Sequence, residues 1–145
     1  MCPHILLPTD GSALSQTAVK NGIRLARSLG ARTTGLFGVP HTFRLYDGGD
    51  GPMEFREQLE APWRDLAATT LEALRAAAAA EGVACETLVA AHDQPWRAII
   101  DPATGGGCDL ILMASHGRRG VNALLLGSET QKVLTHSTIP VPVFR

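Results

Sequence analysis

The residues best suited to ligand chemistry lie in one stretch near the C-terminus, MASHGRRGVNALLLGSETQKVL, residues 113–134. Gly117 follows an apolar run and would let backbone N–H groups approach a ligand closely. Gly127 and Ser128 stand at the start of a predicted helix, where unpaired N–H groups and the helix dipole attract anions. Glycines at two such turns indicate a phosphate-binding loop.

Arg118 and Arg119, between those turns, could add charge-assisted hydrogen bonds to phosphate oxygens. A plain surface turn is the alternative. Ser128 and Gln131 match the S-x-x-Q capping box, which would close the helix without a ligand and leave the arginines solvated. The stretch lacks G-x-x-x-x-G-K-[ST] and has no lysine in the loop, which argues against fast phosphoryl transfer.

The elements that must position this stretch alternate between strand and helix. Five apolar runs predict strands: HILLP ended by Pro8, TTGLFGV ended by Pro40, VACETLVAA, DLILMAS and VPVFR. Helical patterns separate them, which predicts a single-domain α/β fold, a five-stranded mainly parallel sheet with helices on both faces, Rossmann-like. Ligands of such sheets bind outside the carboxyl ends of the strands, here PTDG, GVPH and MASHG.

Capping and proline signals predict the helix limits. Ser12 is a candidate N-cap of the first helix, and Pro62 suits the first turn of the second. Residues 41–61 are rich in glycine and irregular, which predicts a long mobile loop. A third helix starts at Pro95, and Pro102 is expected to end or kink it.

Composition limits the classes of protein to consider. The chain has 145 residues, 45% of them apolar, and fits one domain, residues 1–145. Its 13 basic and 14 acidic side chains give a net charge of -1, which argues against nucleic-acid binding. The N-terminus has no secretory pattern, and no apolar run reaches the ~20 residues of a membrane span. Three isolated cysteines favour the cytoplasm.

Asp10 directly follows the first predicted strand. At a carboxyl edge it could hydrogen-bond a ribose hydroxyl, hold a metal ion or accept a phosphoryl group. The alternative is a turn-forming Asp-Gly pair that leads into the next helix. A phosphoacceptor normally needs a second acidic residue and a lysine beyond other strands, and neither is evident. Cys2 and His4 share one strand by chance in our interpretation, so we expect no metal site there.

The chain resembles the universal stress proteins over nearly its full length. The resemblance is carried by ILLPTDGS, by CDLILMASHGRRG and by LLLGSETQKVLTHSTIPVPVF. Members that bind adenine nucleotides have the motif G-x-x-G-x9-G-[ST]. Here Ala114 stands at its first glycine, followed by Gly117, nine further residues, and Gly127-Ser128.

The resemblance implies a dimeric stress-response protein that binds ATP with a divalent ion, Mg²⁺ or Mn²⁺, and pairs through its final strand, residues 141–145. It implies nucleoside contacts from the first strand end, adenine contacts from the second through backbone, and ribose and phosphate contacts from the fourth strand and the last helix. The implied binding residues are Pro8, Thr9, Asp10, Val39, Met113, Ala114, Gly117, Arg118, Arg119, Gly127, Ser128, Glu129 and Thr130.

Two residues depart from the motif. The methyl group of Ala114 could crowd the first phosphate, or be harmless if its backbone angles are ordinary. Glu129 adds negative charge in the first helical turn, which suits the helix dipole but repels a triphosphate unless it points away. One alternative is therefore a nucleotide-free dimer that recognises a protein partner. A further one is an enzyme, a slow hydrolase or a kinase with Ser115, Ser128 or Thr130 as phosphate acceptor.

Overall fold

Strands and helices alternate along the chain, as the sequence pattern predicts. The structure, a computed structural model, describes residues 3–38, 53–90, 94–116 and 127–145, with the backbone alone for 53–61. The elements in chain order are β1 His4–Thr9, α1 Ala13–Leu29, β2 Arg32–Gly38, α2 Met53–Ala80, β3 Cys85–Ala90, α3 Pro95–Gly105, β4 Leu110–Ile111, β5 Met113–Ala114, α4 Ser128–His136 and β6 Val143–Phe144.

The strands form a parallel sheet, which confirms the predicted fold class. Four strands pair in the order β3-β2-β1-β4, and β5 pairs with β6. β4 and β5 are two parts of the single fourth strand that the sequence predicts, separated by Leu112. The N–H of Leu112 donates to the Leu6 carbonyl at 3.0 Å, so this segment joins the two ladders.

Two apolar layers cover the sheet. Ile5 and Leu7 of β1 pack with α1 and α2 on one face. Leu6, Ile111 and Met113 pack with α3 and α4 on the other face. This alternation is expected of strands that are buried on both sides.

The prediction that Pro8 ends the first strand is wrong. β1 continues to Thr9, and Pro8 pairs with Leu36 of β2. The carbonyls of His4 and Leu6 accept hydrogen bonds from the β4 segment, so the nitrogen of Pro8, two residues on, faces the same side. The β1–β4 pairing ends at Leu6, where the next donor would be Pro8, while the β1–β2 ladder needs no N–H from Pro8 and continues to Thr9.

Two helix limits also differ from the predictions. α2 begins at Met53, so residues 53–61 of the predicted loop are helical and Pro62 lies inside the helix. The segment MEFREQLEA consists mostly of good helix formers, which outweigh one missing donor. α3 continues past Pro102 to Gly105, so of the two predicted effects Pro102 does not end the helix. Residues 41–52 lie outside the described residues. Within the described part of the chain, no helix is long and apolar enough to cross a membrane.

His4 is a buried polar residue at the amino end of β1. Its Nδ1 lies 3.3 Å from the Gly106 carbonyl, which can only accept, so this nitrogen carries the proton. Nε2 lies 2.7 Å from the Thr34 hydroxyl and accepts from it. Burial lowers the pKa of His4, and the positive charge of Arg32 lowers it further. The folded protein therefore holds the neutral imidazole.

We expect acid to destabilise the protein through His4. Because the pKa is lower in the folded chain, the unfolded chain binds more protons as the pH falls below ~6.5, the ordinary histidine value. The free energy of unfolding should therefore decrease as the pH falls from 7.5 to 5.5. Urea unfolding at several pH values measures this slope, which should be smaller in His4→Gln. Equal slopes in the two proteins would contradict this role of His4.

The backbone groups of β3 alternate between the sheet and its free edge. Ala84 accepts a hydrogen bond from the N–H of Thr33 in β2 at 2.8 Å, so Glu86 and Leu88 also direct their backbone groups toward β2. Thr87 lies between these two residues and Val89 follows them, and both direct their backbone groups away from β2. Among the described residues β3 pairs with β2 alone.

Proline should distinguish these two sets of residues. Leu88→Pro removes a donor from the β2–β3 ladder and should lower the free energy of unfolding by about 1 to 3 kcal/mol. The matched variant Val89→Pro removes an outward donor and should cost less than about 1 kcal/mol. Urea unfolding monitored by circular dichroism compares them. Equal losses of unfolding free energy in the two variants would contradict the alternation of backbone groups along β3.

Candidate functional site

The N-terminus of α4 is fixed against the carboxyl end of β5. The N–H of Gly127 donates to the Ser115 carbonyl at 2.7 Å, and the Thr130 hydroxyl donates to the Ala114 carbonyl at 3.1 Å. A Cβ on Gly127 would lie 3.3 Å from both the Cα of His116 and the Ser115 oxygen. Since both contacts are backbone atoms, only glycine fits here without displacement of the chain.

The first turn of α4 keeps its backbone donors available. Gly127 is the N-cap, with φ -61° and ψ 151°, and it offers no side-chain cap. The predicted capping box is wrong because Ser128 is the first helical residue, one position too late to cap. Among the described residues no acceptor pairs with the N–H groups of Ser128, Glu129 or Thr130. These donors and the helix dipole favour an anion.

The end of β1 is shaped by a hydroxyl network. Ser15 Oγ donates to the Ser12 carbonyl at 2.9 Å and lies 2.9 Å from Thr9 Oγ1, which accepts from the N–H of Gly11 at 3.1 Å. Asp10 Oδ1 accepts from the N–H of Ser12 at 2.9 Å, so its carboxylate stabilises the turn into α1. Sequence reasoning missed Ser15, for which the S-x-x-S spacing was the available signal.

Several predicted binding residues bury their side chains. Met113 and Ala114 pack into the cores on opposite faces of the sheet, and Pro8 and Thr9 are buried in β1. Ala114 has ordinary backbone angles, since no described residue other than glycine has a positive φ. Its methyl group belongs to the core, so only backbone atoms of this residue are directed toward the strand end.

Of the three hydroxyls considered as phosphate acceptors, one is exposed. Ser115 is 1% exposed, and its Oγ lies 3.1 Å from His116 Nδ1. Thr130 is 3% exposed and is held by its bond to Ala114. Ser128 alone of the three is exposed to solvent.

The two carboxylate oxygens of Glu129 lie in different environments. Oε1 lies 3.3 Å from Lys132 Nζ, an ion pair within α4. Oε2 is buried and has no hydrogen-bond partner within the described part of the chain. Four predicted site residues, Val39, Gly117, Arg118 and Arg119, lie outside the described residues.

The parallel sheet with helices on both faces and a glycine-capped helix at its carboxyl edge defines the class of open α/β proteins. Residues 1–145 match the profile of the Universal stress protein family, and the chain belongs to that family. A universal stress protein of Thermus aquaticus, encoded in the QAH/OAS sulfhydrylase 3′ region, is 31% identical over 145 residues, the full length of both chains.

Solved structures share the fold. Protein MJ0577 superposes with a TM-score of 0.82 at 25% identity, over 99% of this chain and 95% of that one; it comes from Methanocaldococcus jannaschii. A universal stress protein of Archaeoglobus fulgidus in complex with dAMP has a TM-score of 0.70 at 18% identity, over 100% and 98%. A universal stress protein in complex with cAMP has a TM-score of 0.68 at 19% identity, over 99% and 97%.

Two threonines of α4 provide a test of how this site is held. Thr130→Val removes the buried bond to Ala114 and should lower the free energy of unfolding by about 1 to 2 kcal/mol. Thr135, whose hydroxyl donates to the Gln131 carbonyl at 2.8 Å on the exposed side, is the matched control. Thr135→Val should cost under about 0.5 kcal/mol. Urea unfolding gives both values, and equal costs would remove Thr130 from this role.

Proposed function

We propose that the chain binds an adenine nucleotide, with ATP the expected form, at the carboxyl edge of its sheet. The observation that carries this proposal is the N-terminus of α4. Three backbone donors without protein acceptors among the described residues follow Gly127, which is packed against Ser115 and His116. Family membership supports the proposal, as do the relatives bound to dAMP and cAMP.

The individual contacts follow from the resemblance and the strand ends. Asp10 would read the ribose, the backbone of Val39 the adenine, and Gly117, Gly127 and Ser128 the phosphates. Arg118 and Arg119 would supply positive charge to the phosphate oxygens. Thr9 and Thr130 would contribute through backbone, because their hydroxyls are engaged within the protein.

A divalent ion bound together with the phosphates would have Glu129 as its protein ligand. Its buried Oε2 has no donor among the described residues, and carboxylate oxygens are ligands that Mg²⁺ accepts together with phosphates. When bound, such an ion would neutralise phosphate charge. Without it, the carboxylate would oppose the phosphates that the helix dipole attracts.

Any hydrolysis is expected to be slow. Ser115 and Thr130 are buried, which argues against both as phosphate acceptors. Ser128 is exposed. Its hydroxyl makes no hydrogen bond with a described residue that would act as a general base. A stress-response role that depends on binding is therefore favoured over turnover, and the two described free cysteines suit a cytoplasmic compartment.

The last strand is suited to pair with a second copy of the chain. The carbonyls of Pro140 and Pro142 accept from the N–H groups of Ile111 and Met113 at 3.0 and 3.2 Å. The proline nitrogens therefore face inward as well, and the outer edge of β6 presents the backbone groups of Val141 and Val143. Because the prolines do not interrupt this edge, a homodimer through residues 141–145 is part of the proposal.

Isothermal titration calorimetry with ATP and AMP tests the nucleotide site. Wild-type protein should bind at millimolar ligand or below, and Gly127→Val should weaken binding by about tenfold or more because its side chain displaces the donor turn. Gly105→Ala is the matched control, since a Cβ there meets no atom within 4 Å.

Unfolding curves must accompany the titrations, so that loss of binding is separated from loss of fold. If folded wild-type protein binds neither nucleotide at millimolar concentration, the proposal is wrong and the nucleotide-free dimer takes its place. Turnover faster than a few per minute that disappears in Asp10→Ala would instead support an enzyme.

A further inference from the structure

Within the part of the chain that the structure describes, the outer edge of β3 lacks the features that usually protect an edge strand. Its sequence CETLVA contains no proline, lysine or glycine, and all six residues of the strand pair in regular register with β2. Edge strands of soluble proteins are normally short, charged, bulged or covered, since unpaired backbone groups accept further strands. β3 carries one charged residue, Glu86.

The outward backbone groups of β3 accompany exposed apolar side chains. Cys85, Thr87 and Val89 present their N–H and C=O groups to the edge, by the alternation described above. Leu88 is 41% and Val89 51% exposed, on opposite faces of the strand. The edge therefore offers both an extended hydrogen-bonding ladder and apolar area on each side of it.

Charge distinguishes the two faces of this edge. On the face covered by α2, Arg75 donates to the Thr87 hydroxyl at 2.6 Å while its side chain stays 54% exposed. Its one acidic neighbour among the described residues is Glu72, at 3.8 Å. Glu86, whose side chain alternates with that of Thr87, brings negative charge to the face covered by α3. A complementary strand would place a carboxylate near Arg75 and a basic group near Glu86.

We propose that the β3 edge binds an extended segment of a partner polypeptide as an additional strand. The segment carries an acidic side chain toward Arg75, flanked by apolar side chains that cover Val89. A second copy of this chain fits less well. The two-fold antiparallel pairing that uses all three outward residues is centred on Thr87, and it brings two Arg75 side chains together. This surface is independent of the nucleotide site.

Amide exchange of the free protein, followed by NMR, tests the geometry of the edge. The N–H groups of Glu86, Leu88 and Ala90 should be protected, and those of Thr87 and Val89 should exchange at least about tenfold faster. Uniform protection along β3 would overturn the proposal, because the edge would then already be covered.

Binding is tested with a dye-labelled, end-capped peptide, Lys-Val-Leu-Asp-Leu-Val-Lys, by fluorescence anisotropy. The wild-type protein should bind it, and the amides of Thr87 and Val89 should become protected. Replacing the peptide's Asp by Lys, or Arg75→Gln in the protein, should weaken binding about threefold or more. Val89→Pro should weaken it about tenfold, and Val89→Lys serves the same purpose if the proline variant does not fold.

Equal affinity of the wild-type and Val89 variants for the peptide would overturn the proposal. Equal affinity of the wild-type protein for the peptides with Asp and with Lys would also overturn it. Analytical ultracentrifugation of the peptide-free protein tests whether a second copy of the chain occupies the β3 edge. Self-association that is abolished by Val89→Lys and unaffected by Val143→Lys in β6 would assign the edge to a second copy, which would also overturn it.

Discussion

The backbone of Ser115 connects the three elements that meet at the carboxyl edge of the sheet. Its N–H donates to the Phe144 carbonyl of β6 at 2.6 Å, and its carbonyl accepts from the N–H of Gly127 at 2.7 Å. The first bond holds the last strand on the sheet, and the second directs the N-terminus of α4 toward the strand ends. The second bond favours a residue without a Cβ at position 127, because that atom would lie 3.3 Å from the Ser115 oxygen.

Periodicity was sufficient to predict the parallel α/β fold, because buried strands and amphipathic helices produce different apolar spacings. The proline rules were less reliable. They assume that a proline ends its strand, whereas Pro8 stays inside β1 because its nitrogen faces away from the β2 ladder. The nitrogen of Pro142 faces the fourth strand and cannot donate to it, and the pairing of β5 with β6 begins one residue later, at Val143. Which side of a strand a nitrogen faces depends on register, and register is a tertiary property.

The start of α4 was predictable from the sequence, and the hydrogen bonds made there were less so. A glycine before a helix at a strand end indicates a turn that could hold an anion, and α4 begins there. The directions of hydroxyls were not predictable. Thr9 and Thr130 bond to groups that only the fold brings near them. The capping box failed by one residue, because propensity does not determine which residue adopts the first helical angles.

The candidate site is connected by different paths to the two outer strands of the sheet, β6 and β3. From Gly127 to β6 the path runs through the two backbone bonds of Ser115. From the same residue to β3 it must cross the fourth strand, β1 and β2. A ligand that shifted the N-terminus of α4 would therefore act first on β6, since two hydrogen bonds separate them and three strands separate the site from β3. The two outer strands of the sheet therefore differ in how directly they connect to the candidate site, with β6 the nearer and β3 the more distant.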